Sequence, residues 1–328
     1  MLNQVSSYSA VRNSVGVYRR GDTVMCVRGA QRQAYVLWLL AKSIEFVGID
    51  ACADSVLLEA DGKVVGVAVA ILREDCIYLV VEASAQWREV AAGAAERFDV
   101  TVETIADNAV QVEGPLAWMA VQDVLSVDGI EDILLGECVD ASFDGQSVCL
   151  ARVGTSAEYG YLVVSDSVDV FDDLVAQAET VGGGEIDPTV LVRLRVETNY
   201  PALPFQAADC SLFESGLAWL ATVTRTDEYL GSGGLELVAP TRRTVAAYFA
   251  GSDCPAVGTS VTDNGTVVGH VLVSTPRVGQ PDGLGLLLLD DPFGVPGLEL
   301  EAGGATASTV SRPTLTPRSW SQQIGSRP

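Results

Sequence analysis

Three short stretches of the chain carry charged residues of types that suit contacts with a polar ligand. They read RVGTSAEYGY at residues 152–161, RLRVE at 193–197 and ESGLAW at 214–219. Glu158 in the first stretch and Arg195 in the second carry charges that form strong hydrogen bonds with polar partners. None of the stretches specifies a reaction by itself. They predict a ligand site and leave the chemistry at that site open.

Other kinds of site find less support in the sequence. His270 is the only histidine, which excludes a His-rich metal centre. The run at Gly182–184 precedes a predicted helix but lacks the Lys-Ser/Thr pair of a phosphate loop, so we interpret it as a flexible loop. The four aspartates between residues 166 and 173 are typical of a solvated helix start, and a calcium site is the second interpretation. No metal is predicted.

Composition limits the class of partner. The chain has 328 residues, of which 48% are apolar, as in a globular protein with two or three cores. Its longest apolar runs, such as 64–72 and 284–289, are shorter than the roughly 18 residues that a membrane-spanning helix needs. A net charge of −23 argues against nucleic acid and against an anionic membrane surface. We therefore expect a small-molecule substrate, and we assign no oligomeric state.

The cysteines and the first residues bear on the cellular compartment. Seven cysteines form no CxxC pair, so we interpret them as reduced core residues. The chain does not start with a charged segment followed by an apolar run, as a secretory signal would. We expect a cytoplasmic protein.

Hydrophobic periodicity predicts alternating strands and helices in the first part of the chain. Asp61-Gly62 marks one hairpin turn, and Asp107-Asn108 marks another. Strands are predicted at 22–27, 51–58, 64–72, 77–81, 99–105 and 109–113, and helices at 29–40, 84–97 and 115–127.

The pattern then begins again, and it ends in strands alone. Strands are predicted at 129–137, 145–153 and 161–165, and helices at 168–178 and 187–197. The last helix would place Arg193 and Glu197 one turn apart on one face and Arg195 on another. From residue 245 only strand-like runs with Gly, Pro and Asn-Gly turns follow.

These elements predict an α+β fold with three regions. Residues 1–240 would form a domain of two αβ portions, about 1–127 and 128–240, and residues 241–312 a C-terminal β-barrel. Residues 313–328 would be a flexible tail.

The layout and motifs together resemble the glycine-cleavage T-protein (aminomethyltransferase) superfamily. Besides the three stretches, QVEGPLA at residues 111–117 resembles the family's "QGPxA". The order and spacing of these weak motifs carry the resemblance. It implies a tetrahydrofolate-binding domain around a central opening, followed by a small β-barrel.

The resemblance assigns roles to four residues. Glu158 takes the place of the glutamate that hydrogen-bonds the pterin, and a carboxylate can accept two parallel N–H bonds there. Arg195 takes the place of an arginine that helps to hold the folate; its other interpretation is an ordinary helix-surface arginine. Tyr78 and Glu82 lie on a strand that resembles the family's "VVNAS" strand beside the pterin slot. Glu82 replaces the usual Asn. Its negative charge would either favour a cationic amine substrate or weaken folate binding, and the other interpretation is that Glu82 is only a helix-start carboxylate.

Two departures from the family pattern alter the expected reaction. Val65 and Gly66 fall where the family has an aspartate pair, and neither can steer the one-carbon transfer as a carboxylate does. Asp61 is the nearest carboxylate, but its position in a turn explains it. Glu228 replaces the cysteine of the iron–sulfur branch of the superfamily. No catalytic residue is assigned.

The resemblance therefore implies a tetrahydrofolate-dependent transferase for a methyl or hydroxymethyl group, such as a demethylase, rather than ordinary glycine cleavage. The alternative is a non-catalytic folate-binding or scaffold protein of the same superfamily that has lost the chemistry, or an assembly subunit that no longer binds folate. The substrate and the direction of transfer stay open.

Overall fold

A computed structural model of the chain describes residues 1–325 apart from 22, 106–108, 166–169, 208–209, 236–238, 251–253, 277 and 279–281. The helices in these residues are α1 (Gln4–Asn13), α2 (Arg32–Leu39), α3 (Ala85–Ala94), α4 (Ala117–Val124), α5 (Phe171–Thr180) and α6 (Val190–Thr198). The strands are β1 (Gly16–Arg19), β2 (Thr23–Arg28), β3 (Ala51–Leu58), β4 (Val64–Leu72), β5 (Cys76–Ala83), β6 (Thr101–Ile105), β7 (Ala109–Glu113), β8 (Cys138–Phe143), β9 (Gln146–Ala151), β10 (Gly160–Val164), β11 (Gly184–Glu185), β12 (Arg242–Ala250), β13 (Ser260–Asp263), β14 (Thr266–Thr275), β15 (Gly283–Asp290), β16 (Glu299–Ala302) and β17 (Ala305–Val310).

The first sheet has the strand order β3-β4-β5-β2-β6, and all its neighbours are antiparallel. Its outer face is covered by α2 and α3, which bury the large aromatic side chains of Tyr35 and Trp87. Burying an aromatic side chain removes a large apolar area from water, so these two residues stabilise the helices against the sheet. Ser84 begins α3, because its side chain accepts a hydrogen bond from the Trp87 N–H.

The second sheet has the order β11-β1-β7-β10-β9-β8. Strand β1 lies inside it, parallel to β11 and antiparallel to β7. Helices α4 and α5 pack on one face and bury Trp118 and Leu174. The other face packs against the first sheet, with Val24 and Val80 meeting Leu162 and Val164. The two sheets therefore enclose a shared apolar layer between the layers of helices.

The strands differ from the prediction at two places, one in their pairing and one in their position. β6 and β7 do not form a hairpin, because β6 pairs with β2 in the first sheet while β7 pairs with β1 and β10 in the second. The turn residues predicted for that hairpin lie outside the described residues. The strand predicted at 129–137 is wrong, since this stretch forms turns and the strand begins at Cys138.

Strands β12 to β17 form a closed barrel with the order β12-β15-β14-β13-β16-β17. Phe249 and Leu287 fill its interior. Its outer surface packs against α6, where Val196 contacts the cluster that contains Ala246 and Leu288. The predicted α+β fold with a C-terminal β-barrel is confirmed.

The segment after the barrel differs from the predicted flexible tail. The Thr314 N–H donates to the Glu197 carbonyl at 2.8 Å, and the Tyr159 hydroxyl donates to the Gln322 carbonyl at 2.6 Å. Between them a 3-10 turn over Arg318–Ser321 buries Ser319 to 1% exposure. These polar contacts hold the segment together with Ile324, which packs against the core of the second sheet. Hydropathy did not predict the segment, because most of its contacts are polar.

No helix in the described part of the chain is long and apolar enough to cross a membrane.

Candidate functional site

A cavity of about 570 Å³ lies where β4, β5 and α6 meet. Val65, Glu82 and Arg195 line it. Val65 and Glu82 come together because Val67, two residues after Val65, pairs with Glu82 across the antiparallel strands β4 and β5. The remaining lining residues are mostly apolar and include the segment 202–204. The volume falls within the range of about 300–1,000 Å³ that is usual for small-molecule sites.

A bidentate ion pair joins Glu82 to Arg195 in this cavity. The Arg195 Nη1 and Nη2 atoms donate to the two carboxylate oxygens at 2.7 and 2.9 Å. Arg20 Nε lies 3.6 Å from the same carboxylate. Burial opposes ionisation of Glu82, but the charges of Arg195 and Arg20 outweigh it and lower the pKa of this carboxyl. Glu82 is therefore an anion held between two cations.

One donor of Arg195 is unmatched. Its side chain is buried at 8% exposure, and its Nε has no hydrogen-bond partner within the described residues. An unmatched buried donor is costly, and because this atom is closed to solvent a ligand would reach it only after neighbouring side chains move.

A buried polar network continues from Arg20 into the protein. Arg20 donates to Gln111 Oε1 at 2.8 Å and to the Tyr200 hydroxyl at 2.5 Å, and this hydroxyl donates to Asp54 at 3.2 Å. Burial raises the pKa of Asp54 against the opposing charge of Arg20. Through Arg20 the network thus joins Glu82 of the cavity to β7, to β3 and to the residue two positions after α6.

Glu158 lies outside this cavity, against the segment after the barrel. Its side chain is 1% exposed. The carboxylate accepts the N–H of Ser319 at 2.9 Å on one oxygen and the N–H of Arg318 at 3.2 Å on the other. The Arg12 Nη1 lies 3.4 Å from it. A second cavity of about 440 Å³ borders Glu158, Arg12, Thr316 and Arg318.

Arg12 connects Glu158 with helix α6. Its Nη2 donates to Glu197 at 2.7 Å, and Arg193 Nε donates to the other oxygen of the same carboxylate at 2.8 Å. Burial of Arg12 is opposed chiefly by the charge of Glu197, and its pKa is raised. Arg193 and Glu197 thus share one face of α6 while Arg195 faces Glu82, as the helical spacing predicted.

Tyr78 borders a third cavity of about 450 Å³, together with Arg28 and Arg73. Of the four residues predicted to hold folate, the structure brings together Glu82 and Arg195. Glu158 and Tyr78 each line a different cavity. The folate-binding roles of all four stay predictions.

The position that the family fills with aspartate carries an apolar side chain in the cavity. Val65 lines the wall beside Glu82, whereas Asp61 lies in the turn between β3 and β4, 2.8 Å from Lys63 Nζ. Glu82 is therefore the carboxylate that this cavity offers. Across the described residues there is no group of His, Cys, Asp or Glu side chains arranged to hold a metal ion.

Sequence reasoning missed Arg12, Arg20 and Tyr200. Arg20 follows a buried strand, where an arginine requires a buried partner, and that was the available signal. Arg12 and Tyr200 carry no local signal, because their hydrogen-bond partners are 144 or more residues away along the chain. The stretch ESGLAW at residues 214–219 has a structural role that we did not predict, since Glu214 pairs with Arg242 of the barrel at 2.9 Å.

Comparison with known proteins gives consistent matches. The profile of the family described as "GCVT N-terminal domain" matches residues 4–225. An aminomethyltransferase from Xanthomonas campestris pv. campestris is 27% identical over 249 residues, which span 71% of this chain and 66% of that protein. An aminomethyltransferase from Listeria welshimeri is 23% identical over 327 residues, which span 95% of this chain and 88% of that protein. The crystal structure of the glycine cleavage system aminomethyltransferase T from Bartonella henselae superposes with a TM-score of 0.82 at 17% identity and covers 96% of this chain and 90% of that one.

Proposed function

The chain belongs to the GCVT N-terminal domain family, and on this basis we propose that it is a tetrahydrofolate-dependent one-carbon transferase acting on a small molecule. The observation that carries the proposal is the cavity that places Glu82 and Arg195 beside Val65. Two of the four residues matched to the folate site thus share one cavity with the position of the family's aspartate.

The residues of the cavity suit a folate. When bound, tetrahydrofolate would carry the one-carbon unit on its ring nitrogens. The Arg195 guanidinium, which lines the cavity, would donate to a carbonyl or carboxylate of the ligand, and Glu82 would hold it in place through its two hydrogen bonds. The apolar lining, including Leu191 and Leu203, would exclude water from the ring system.

The chemistry would differ from aminomethyl transfer. Val65 supplies no carboxylate beside the reacting nitrogen, and Glu82 is already bound to Arg195. We propose transfer of a methyl or hydroxymethyl group instead, as in a demethylase, for which alignment of the two reactants would contribute several kcal/mol.

Glu158 would contribute only after a rearrangement. Its carboxylate accepts two N–H bonds, one on each oxygen, which is the arrangement that a pterin amino group and ring N–H require. In this structure the backbone of Arg318 and Ser319 provides both. Folate at Glu158 would therefore have to displace this turn.

A second candidate is a folate-binding or scaffold protein without catalysis. Two observations favour it: the apolar Val65 at the aspartate position, and the saturation of Glu158 by the chain's own backbone. The two candidates share the pocket and differ only in turnover.

Calorimetric titration with tetrahydrofolate, 5-methyl-tetrahydrofolate and folinic acid tests the pocket. We expect binding by the wild type and at least tenfold weaker binding by Arg195→Met. Glu214→Gln, which alters an ion pair at the barrel, is the matched control and should bind like the wild type. Absence of binding by the wild type would refute both candidates.

An activity screen then separates the two candidates. Folate-dependent loss of methyl groups would be followed for amines, ethers and thioethers by mass spectrometry. Turnover that requires folate supports the transferase. Tight folate binding without turnover across the three classes supports the binding protein.

A further inference from the structure

Five cysteines that are dispersed along the sequence converge on the interface between the two sheets. They come from five different strands: Cys26 of β2, Cys52 of β3, Cys76 of β5, Cys138 of β8 and Cys149 of β9. Cys76 and Cys149 line the cavity of about 450 Å³ that also borders Tyr78. The proposed transferase chemistry uses none of these thiols.

Three of these thiols form a connected group, which we call the thiol cluster: Cys52, Cys138 and Cys149. Cys138 and Cys149 belong to one packed cluster of buried side chains between the two sheets, and Cys52 packs against that cluster. Cys138 and Cys149 lie on neighbouring strands, because Cys138 pairs with Ala151 two residues beyond Cys149. Cys52 approaches from the first sheet. Its N–H donates to the Gly136 carbonyl at 2.7 Å.

A cation lies against the central thiol. Arg73 Nη1 donates to Cys138 Sγ at 3.5 Å. The same guanidinium contacts Asp50 at 2.8 Å and Asp140 at 2.5 Å, and these contacts fix its position. Arg73 also lines the cavity, so a small solute that enters there meets the guanidinium and Cys149 together.

The surroundings favour the thiolate of Cys138 over those of its neighbours. Hydrogen bonds from Cys149 and Cys52, together with Arg73, outweigh burial and lower the pKa of Cys138. The same hydrogen bonds and burial raise the pKa of Cys52 and of Cys149. The cluster thus pairs one nucleophilic sulfur with two protonated thiols, a combination found at redox-sensitive cysteines.

We propose that the thiol cluster is a peroxide-sensitive site in which Cys138 is oxidised and then forms a disulfide with Cys149 or Cys52. The Cys138 thiolate attacks one oxygen of hydrogen peroxide, the O–O bond breaks, and the departing hydroxide takes a proton to become water. The neighbouring sulfur then attacks the sulfenic sulfur, and the S–O bond breaks with release of a second water. In total two thiols lose two protons and two electrons, and one peroxide gains them and becomes two waters.

Either disulfide would have a structural consequence. A bond between Cys138 and Cys149 would join neighbouring strands of the second sheet. A bond between Cys52 and Cys138 would link the two sheets covalently and so restrict their relative movement around the shared layer.

Peptide mapping of the full chain distinguishes these products. The reduced protein is treated with hydrogen peroxide, its remaining thiols are alkylated, and it is digested with trypsin without reduction. Cys138 and Cys149 share the tryptic peptide 98–152, whereas Cys52 lies in 43–63. We expect the loss of two hydrogens within 98–152 or a cross-link between the two peptides. Cys254, outside the cluster, is the internal reference and should stay reduced under the same conditions.

Variants test the role of the cation and of the central sulfur. Cys138→Ser should abolish both products, whereas Cys254→Ser should behave as the wild type. Arg73→Met should slow the oxidation of Cys138, because the guanidinium that lies against its sulfur and favours the thiolate is lost. Circular dichroism verifies that the variants are folded. Oxidation of Cys138 no faster than that of Cys254 in the wild type would overturn the proposal, and this result needs no variant.

Discussion

The turn that covers Glu158 should be released by a single substitution. In Glu158→Ala the N–H groups of Arg318 and Ser319 lose their acceptor, while Arg12 keeps its contact with Glu197. The peptide bond between Arg318 and Ser319 is a trypsin site that lies between the two anchored N–H groups. Its cleavage rate therefore reports how often the turn opens.

The expected size of the effect follows from the two lost bonds. A hydrogen bond to a charged group contributes about 1.5–3 kcal/mol, so the pair contributes about 3 kcal/mol or more. Each 1.4 kcal/mol changes an equilibrium about tenfold. When opening is fast relative to cleavage, the rate follows the population of the open form. Cleavage after Arg318 should therefore accelerate about 100-fold in Glu158→Ala.

Limited trypsin digestion with mass spectrometry measures the rate, and two variants calibrate it. Tyr159→Phe removes only the hydrogen bond from the Tyr159 hydroxyl to the Gln322 carbonyl, so a few-fold increase is expected. Glu214→Ala removes a carboxylate that holds Arg242 and the Ser211 N–H elsewhere, and it should leave this cleavage unchanged.

A rate for Glu158→Ala equal to that of the wild type would refute the reasoning, because the carboxylate would then not hold the turn. The same assay reports on the ligand. If folate takes Glu158, saturating folate should accelerate cleavage of the wild type; binding without acceleration would place folate away from Glu158.

Two further predictions concern the cavity beside Arg195. Since Glu82 has a lowered pKa in the folded protein, its stabilising effect is present above its ordinary pKa of 4.5 and is lost as the pH falls through the lower folded value. Glu82→Gln should therefore reduce the free energy of unfolding by about 3 kcal/mol at pH 7, because Arg195 loses its charged partner, and urea denaturation should show this difference shrinking towards pH 3. Val65→Asp places a carboxylate on the cavity wall near two arginines and should change the free energy of unfolding by less than about 1 kcal/mol. Val69→Asp buries a charge between the sheets and should cost about 4 kcal/mol or more in the same denaturation assay. Equal costs for the two variants would contradict the placement of Val65.

Local sequence patterns predicted most of the helices and strands, but they did not predict which distant strands pair with each other. The strands at 51–58 and 64–72 have the predicted bounds, because short apolar runs and the Asp61-Gly62 turn are properties of neighbouring residues. The assignment of β6 and β7 to different sheets depends on β2 and β10, which local sequence does not encode. The predicted hairpin was wrong for this reason.

The same distinction between local spacing and long-range contacts applies to the candidate site. Helical spacing predicted the two faces of α6, with Arg193 and Glu197 on one and Arg195 on the other. The partner of Glu158 is a backbone turn 160 residues later, and backbone N–H groups leave no signature in a sequence. Motif order could therefore nominate Glu158 as a ligand residue, but it could not predict that the chain itself would occupy the carboxylate.

The position of β1 within the second sheet has a consequence for synthesis. All strands of the first sheet lie within residues 23–105, so this sheet can form once that part of the chain has left the ribosome. β1, at residues 16–19, is made earlier, yet its neighbours are β7 and β11, and β11 ends at residue 185. One edge of β1 therefore stays without its partner strand β11 until more than half of the protein has been made. Slowing translation between residues 113 and 185 should lengthen that interval, and pairing errors of the nascent chain should concentrate at β1.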